Sequence, residues 1–209
     1  MKISKLLIRN YKIFRKLTIP LNKNLNIFVG DNDSGKSTIL EALSIVTCYR
    51  LNNMNIDRQL TVDLFNTEAR KEYQNSIING NPISPPMIEI EAYIEKLEQF
   101  SHLQGTNNSC GEDCPGIKVR IEFDSEYSVT YKGLLTQKDI ADIPLEFYKI
   151  RYLSFKGEPL LSWRSSPFKV VCIDTSKKDY SNVINRFVSE NVSSYLPEPE
   201  QIDLRLAYR

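Results

Sequence analysis

The sequence is poor in the residues that most often build metal and redox chemistry. It has a single histidine, His102, one tryptophan and four cysteines in 209 residues. Cys48 and Cys172 lie alone in apolar runs, where a thiol behaves as a small hydrophobe. Cys110 and Cys114 have no second pair, and His102 would be only a distant third ligand. A structural zinc takes four, so a zinc centre is not expected. Nor does anything place the one histidine beside a cysteine for nucleophilic catalysis. No run of about eighteen apolar residues exists, so no membrane span is expected. The opening MKISKLLIRNYK lacks the sustained apolar stretch and small-residue cleavage site of a secretory signal. With free thiols, this points to a reducing, cytoplasmic setting. An excess of one charge sign is missing too: 27 basic and 26 acidic residues leave +1. The chain is therefore neither a basic arm nor an acidic tail, although a local basic patch can hide in a neutral sum. What is present, 41% hydrophobic and 25% charged residues, is ordinary for a globular chain of one domain, or one domain with a sizeable insertion.

Hydrophobic periodicity organises the rest. Strands are expected at Ile3–Ile8, at Lys16–Leu21 (toward an edge, because of Pro20) and at Leu25–Val29, the last ending in apolar residues as a buried strand would. Residues 51–78 are polar and helix-leaning, and Asn79-Gly80-Asn81-Pro82 breaks them. Met87–Ile94 alternates apolar and acidic residues, as does Ile117–Phe123 apolar and charged ones, and both read as strands. A helix-like piece reaches Leu103, residues 125–140 are expected to be helical, and Leu145–Phe155 and Lys169–Ile173 are expected to be strands. Val183, Ile184, Phe187, Val188 and Val192 share a helical face. From Glu200 another amphipathic pattern begins and meets no cap or breaker by Arg209, so the chain is expected to be the N-terminal part of a longer protein. No internal repeat or low-complexity tract occurs.

Glycine is scarce but concentrated, with five of the eight in two loops, Gly30–Gly35 and Gly105–Gly116. The first is the chemical feature of the chain. Gly30-Asp31-Asn32-Asp33-Ser34-Gly35-Lys36-Ser37 satisfies G-x-x-x-x-G-K-[ST] between an apolar strand and an amphipathic helix. Such a loop turns its backbone N–H groups inward and, with the positive end of the helix, cradles phosphates. Gly30 lets the chain turn off the strand, and Gly35 lets the backbone approach a phosphate. Lys36 would place its charge on the β- and γ-phosphates and the Ser37 hydroxyl would ligate Mg²⁺. Thr38 is set to reach the α-phosphate. ATP with Mg²⁺ is the expected ligand. A GTPase would need N-K-x-D, and Asn22-Lys23-Asn24-Leu25 lacks the Asp.

Ile8-Arg9-Asn10-Tyr11-Lys12-Ile13-Phe14 and the stretch Gly30–Leu43 together resemble the opening of ABC-like ATPases of the RecF, SMC and OLD group. Tyr11 stands where that opening has Phe. The segment Gly105–Gly116 looks most like OLD-family proteins, ATP-dependent endonucleases of which several act in phage defence. The strong likeness covers about the first fifty residues. It implies an α/β fold: the N-terminal lobe of a P-loop ATPase, with an antiparallel β subdomain and a helical insertion. The parts would be a P-loop lobe at 1–50, a polar insertion at about 51–86, a β-rich part at about 87–178, and helices at about 179–209 that continue beyond the chain. It also implies that Gly30, Asn32, Asp33, Ser34, Gly35, Lys36, Ser37 and Thr38 hold the nucleotide, with Lys12 near it. Two ATPase heads would pair around ATP, and ATP would gate a DNA nuclease in the full-length protein. No L-S-G-G signature, no Walker B strand ending in Asp-Glu and no nuclease acids are in the sequence, so no catalytic residue is assigned and the chain alone is expected to be inactive.

Other readings stay open. Val170–Asp174 is an apolar strand ending in Asp, the bare Walker B pattern, so Asp174 could hold Mg²⁺ in a self-contained small kinase or NTPase. It also reads as an ordinary buried strand with a polar exit. A non-catalytic nucleotide-binding module is the third reading. Glu89, Glu91 and Glu95 read as the solvated face of an antiparallel strand rather than as paired acids. Glu112-Asp113 reads as a surface loop rather than a cation site. Tyr148, Tyr152, Phe155 and Trp163 are expected to fill a β core rather than stack on bases. Lys12, Arg15 and Lys16 are too few to imply DNA.

Overall fold

The computed structural model describes residues 3–52, 54–137 and 142–160, with single residues at 168, 170, 197, 200 and 202. The chain forms two compact units, Met1–Ser166 and Pro167–Arg209, and the elements below belong to the first. Its strands are β1 (Ile3–Tyr11), β2 (Phe14–Pro20), β3 (Arg50–Leu51), β4 (Met54–Asn55), β5 (Ile88–Ile94), β6 (Gln104–Gly105), β7 (Cys114–Phe123) and β8 (Tyr148–Ser154). Its helices are α1 (Lys36–Cys48), α2 (Thr67–Ile78) and α3 (Ser128–Gln137). The main sheet runs β2-β1-β5-β7, with β8 and the short β6 also on β7, all antiparallel. The β3–β4 hairpin stands apart.

Strand alternation divides this sheet into two unlike faces. Leu6 and Ile8 register with Ala92 and Ile90, and these with Ile117 and Val119. All are buried, and this apolar face packs on Ile39, Ala42, Ile45 and Val46 of α1. Tyr152 of β8 lies on the same face and donates to the Val46 carbonyl at 2.8 Å, fastening the sheet to the last turns of α1. Tyr152 and Phe155 are core residues as expected, while Trp163 lies outside the described residues.

The opposite face is charged, and it corrects the sequence reading. Glu89 and Glu91 were expected in solvent, yet they are 4% and 0% exposed; only Glu95, past the end of β5, is exposed. The cause is the Gly105–Gly116 segment, which folds back across this face. The Ser109 N–H donates to Glu91 at 2.9 Å, and its hydroxyl reaches Glu89 at 2.9 Å and Glu91 at 3.0 Å. The Tyr93 hydroxyl donates to Glu91 at 2.8 Å. Buried Lys118, the cross-strand partner of Glu91, donates to Asn107 at 2.8 Å. Arg120 lies 2.9 Å from Glu89. The base of the segment is held by Phe155, whose ring occupies the space a Cβ on Gly116 would need.

Two further segments differ from expectation. Among the described residues no strand pairs with 25–29, and Leu25, Ile27 and Val29 are 68%, 74% and 90% exposed. A strand is stable only where neighbours take its backbone groups, and reciprocal Asn22–Asn26 bonds (2.7 and 3.0 Å) shape the preceding turn. In residues 51–78 the helix begins only at Thr67, after the β3–β4 hairpin and short 3-10 turns at Ile56–Arg58 and Val62–Leu64. Asn66 sets that start, its side chain accepting from the N–H groups of Glu68 and Ala69.

Helix α2 is anchored by Arg70, which holds Asp142 in a forked pair with Nε at 2.9 and 3.0 Å. Burial pushes the Asp142 carboxyl up, but Arg70 and the Ile143 N–H outweigh it and leave it below the ordinary value. A depressed carboxyl stabilises the fold above its unfolded value of about 4 and loses that contribution as pH falls through the lowered one. Both side chains are about a third exposed. Asp142→Asn is therefore expected to cost only about 1 kcal/mol at pH 7. Urea unfolding across pH should show the difference from wild type shrinking as the solution is acidified below the ordinary Asp value.

Candidate nucleotide-binding loop

The loop Gly30–Gly35 leads directly into α1. Gly35 is the residue before the helix and sits at φ 94°, a left-handed conformation that favours glycine. A Cβ there would collide with the side chains of Ile13 and Phe14, so the loop lies directly against the β1–β2 turn. Asp33 also has positive φ, 62°, and Ser34 N–H bonds the Asp31 carbonyl at 3.3 Å, closing the loop on itself.

Lys36 turns its ammonium back into the loop. It donates to the carbonyls of Gly30 (2.7 Å) and Asp31 (2.5 Å) and lies 3.4 Å from Ser34 Oγ. Helix α1 has neither a side-chain cap nor an acidic residue in its first turn. The leading N–H groups of a helix lack intrahelical acceptors, and here their partial positive charge is left uncompensated by the side chains. Asn32, Asp33, Ser34 and Ser37 are exposed around this end, whereas Thr38 is buried beneath it. The helix start, with no side-chain cap and with Lys36 beside it, is the feature of this loop that a polyphosphate could use once the ammonium leaves the Gly30 and Asp31 carbonyls.

Lys12 is placed elsewhere than on the loop itself. Its ammonium is 2.5 Å from Glu41 Oε2 on the second turn of α1, and the Tyr11 hydroxyl donates to the same oxygen at 3.1 Å. Sequence reasoning missed Tyr11 and Glu41. The available signal was the tyrosine standing where the resembling opening has Phe. It also missed the buried Glu89–Glu91–Lys118 cluster, signalled by acids alternating on one strand opposite bases alternating on another.

Asp174 and Cys172 lie outside the described residues. Cys110 is exposed, with its sulfur 3.6 Å from Lys5 Nζ, and Cys114 packs on Leu7, Tyr93 and Phe155, where burial pushes its thiol up. His102 is exposed on a separate 3-10 turn. Among the described residues no group of three His, Cys, Asp or Glu side chains is arranged to hold a metal, and no helix is long and apolar enough to cross a membrane.

Residues 1–190 match the family model described as an AAA ATPase domain. The DNA replication and repair protein RecF of Clostridium perfringens (strain SM101 / Type A) is 25% identical over 195 residues, covering 78% of this chain and 54% of that protein. RecF of Clostridium beijerinckii is 33% identical over 72 residues, covering 34% of this chain and 18% of that protein. A solved structure from work on ATP-driven dimerization and DNA-stimulated activation of SMC ATPases aligns with TM-score 0.35 and 23% identity, over 57% of this chain and 63% of that one. The chain spans about half the length of the first of these RecF relatives.

Proposed function

The chain belongs to the AAA ATPase domain family, with a P-loop NTPase fold, and from that membership we propose that it is an ATP-binding lobe which becomes hydrolytic only with a further half. The observation that carries this is the loop Gly30–Gly35 in front of an uncapped α1, with Lys36 turned into it. Gly30, Asn32, Asp33, Ser34, Gly35, Lys36, Ser37 and Thr38 would hold the nucleotide, with Ser37 on Mg²⁺ and Lys12 close by. Bound ATP·Mg²⁺ supplies a phosphoryl group for transfer to water; this chain's residues bind and orient it. Leu25, Ile27 and Val29, next to the loop, are exposed and alternate. Among the described residues no strand pairs with them, and the pattern suits a neighbouring strand of an ATPase core.

Kinship with DNA replication and repair proteins supports DNA as the partner of the complete protein, with heads paired around ATP. Gating of a DNA endonuclease, as in OLD proteins of phage defence, is the finer reading and rests on the likeness of Gly105–Gly116.

Steady-state phosphate release from MgATP tests the proposal. This chain is expected to bind ATP and turn it over far more slowly than about one per second, a typical lower value for enzymes. Turnover at that rate or faster, lost in Lys36→Ala, would contradict the half-ATPase reading and favour a self-contained enzyme.

A further inference from the structure

We propose that Tyr11 and Glu41 form a latch that parks Lys12 on α1 and releases it to the nucleotide phosphates when ATP binds. This rests on the nucleotide-binding reading of Gly30–Thr38.

Lys12 is held in an unusual way. Its φ is +46°, which non-glycine residues adopt only where their surroundings impose it. Those surroundings are explicit: its N–H donates to the Leu64 carbonyl and its carbonyl accepts from Asn66 Nδ2, both at 2.8 Å. The next two residues, Ile13 and Phe14, abut Gly35. The backbone of Lys12 is thus fixed beside the phosphate loop, and only its long stem is free to re-aim.

The ammonium now rests on Glu41, the sole carboxylate of α1, five residues past Lys36. The pair is part-exposed, 30% for Lys12 and 24% for Glu41, so solvent weakens it and a polyphosphate can outcompete it. Tyr11 makes that exchange possible. It is fully buried, and burial and Glu41 together raise its pKa, so it remains a protonated donor. When Lys12 departs, the Tyr11 hydroxyl still satisfies Glu41 Oε2. A phenylalanine there would leave that oxygen to solvent alone.

The test is isothermal titration of this chain with MgATP at fixed ionic strength, using Lys12→Ala, Glu41→Gln, their double variant and Tyr11→Phe, with Lys36→Ala as reference. Lys12→Ala should weaken binding about tenfold. Glu41→Gln should tighten it about three- to fivefold with Lys12 present and less than about twofold in Lys12→Ala, the coupling expected of a competing pair. Tyr11→Phe should weaken binding about threefold, an effect that disappears in Glu41→Gln. Should Lys12→Ala fail to fold, Lys12→Met keeps the stem and carries the cycle. Lys36-dependent binding with no Lys12–Glu41 coupling, or weakened by Glu41→Gln, would overturn the latch alone. Absence of ATP binding by the wild-type chain would overturn the loop reading and the latch with it.

Discussion

Replacing Lys36 by alanine is expected to weaken MgATP binding by at least about 100-fold while the fold survives, a loss of about 2.7 kcal/mol. A charge-assisted hydrogen bond contributes about 1.5–3 kcal/mol, and an ammonium serving two phosphates makes more than one. Lys36 contributes little to the apo fold. Its partners are loop carbonyls and a serine hydroxyl at the surface, which water can replace. The melting temperature should therefore move by no more than about 2 °C. Calorimetric titration alongside a thermal melt reads both quantities. A variant that binds ATP as the wild type does would place the nucleotide away from Gly30–Thr38.

Glu91→Ala should be strongly destabilising, costing about 3–5 kcal/mol, because several buried hydrogen bonds to a charged group are lost at about 1.5–3 kcal/mol each. Glu91 is wholly buried and accepts from Ser109 N–H, Ser109 Oγ and Tyr93 OH. Without it the Ser109 N–H loses its acceptor, the Ser109 and Tyr93 hydroxyls are left with Glu89 and Asn108, and the buried Lys118 opposite loses a nearby carboxylate. Burial already lowers the Lys118 pKa, so that ammonium has little to spare. In a unit of this size the loss corresponds to a fall of about 8–15 °C in melting temperature. Glu91→Gln keeps the volume and isolates the charge, and should cost less than alanine but still destabilise. Near-wild-type stability of both would mean that residues 106–113 do not cover this face in solution.

How far the sequence foretold this molecule varies with the reason each segment is ordered. Helix α1, the glycine loop before it and strands β1, β2, β5, β7 and β8 were legible because local periodicity and packing agree. The 3.6-residue spacing of Ile39, Ala42, Leu43 and Val46 required a partner face, and alternation in β5 and β7 provided it. Which side of β5 meets water was not legible. Alternating acids normally mean a wet face, and here a loop distant in sequence, through Ser109, decides otherwise. Leu25–Val29 failed in the opposite sense. Its composition is that of a buried strand, but a strand needs neighbours that composition cannot name. Around the loop, spacing alone marked the glycines and Lys36 as candidates, whereas the Lys12–Glu41 pair depends on a turn set by Leu64 and Asn66.

The account stands most directly on where ATP settles, which amide chemical-shift mapping of the ¹⁵N-labelled chain during an MgATP titration reads residue by residue. Saturable shifts centred on the amides of Gly30–Thr38, with smaller ones at Lys12–Phe14 and none in Lys36→Ala, are the result predicted. Shifts centred elsewhere, or no saturable shift from a folded chain, would contradict it.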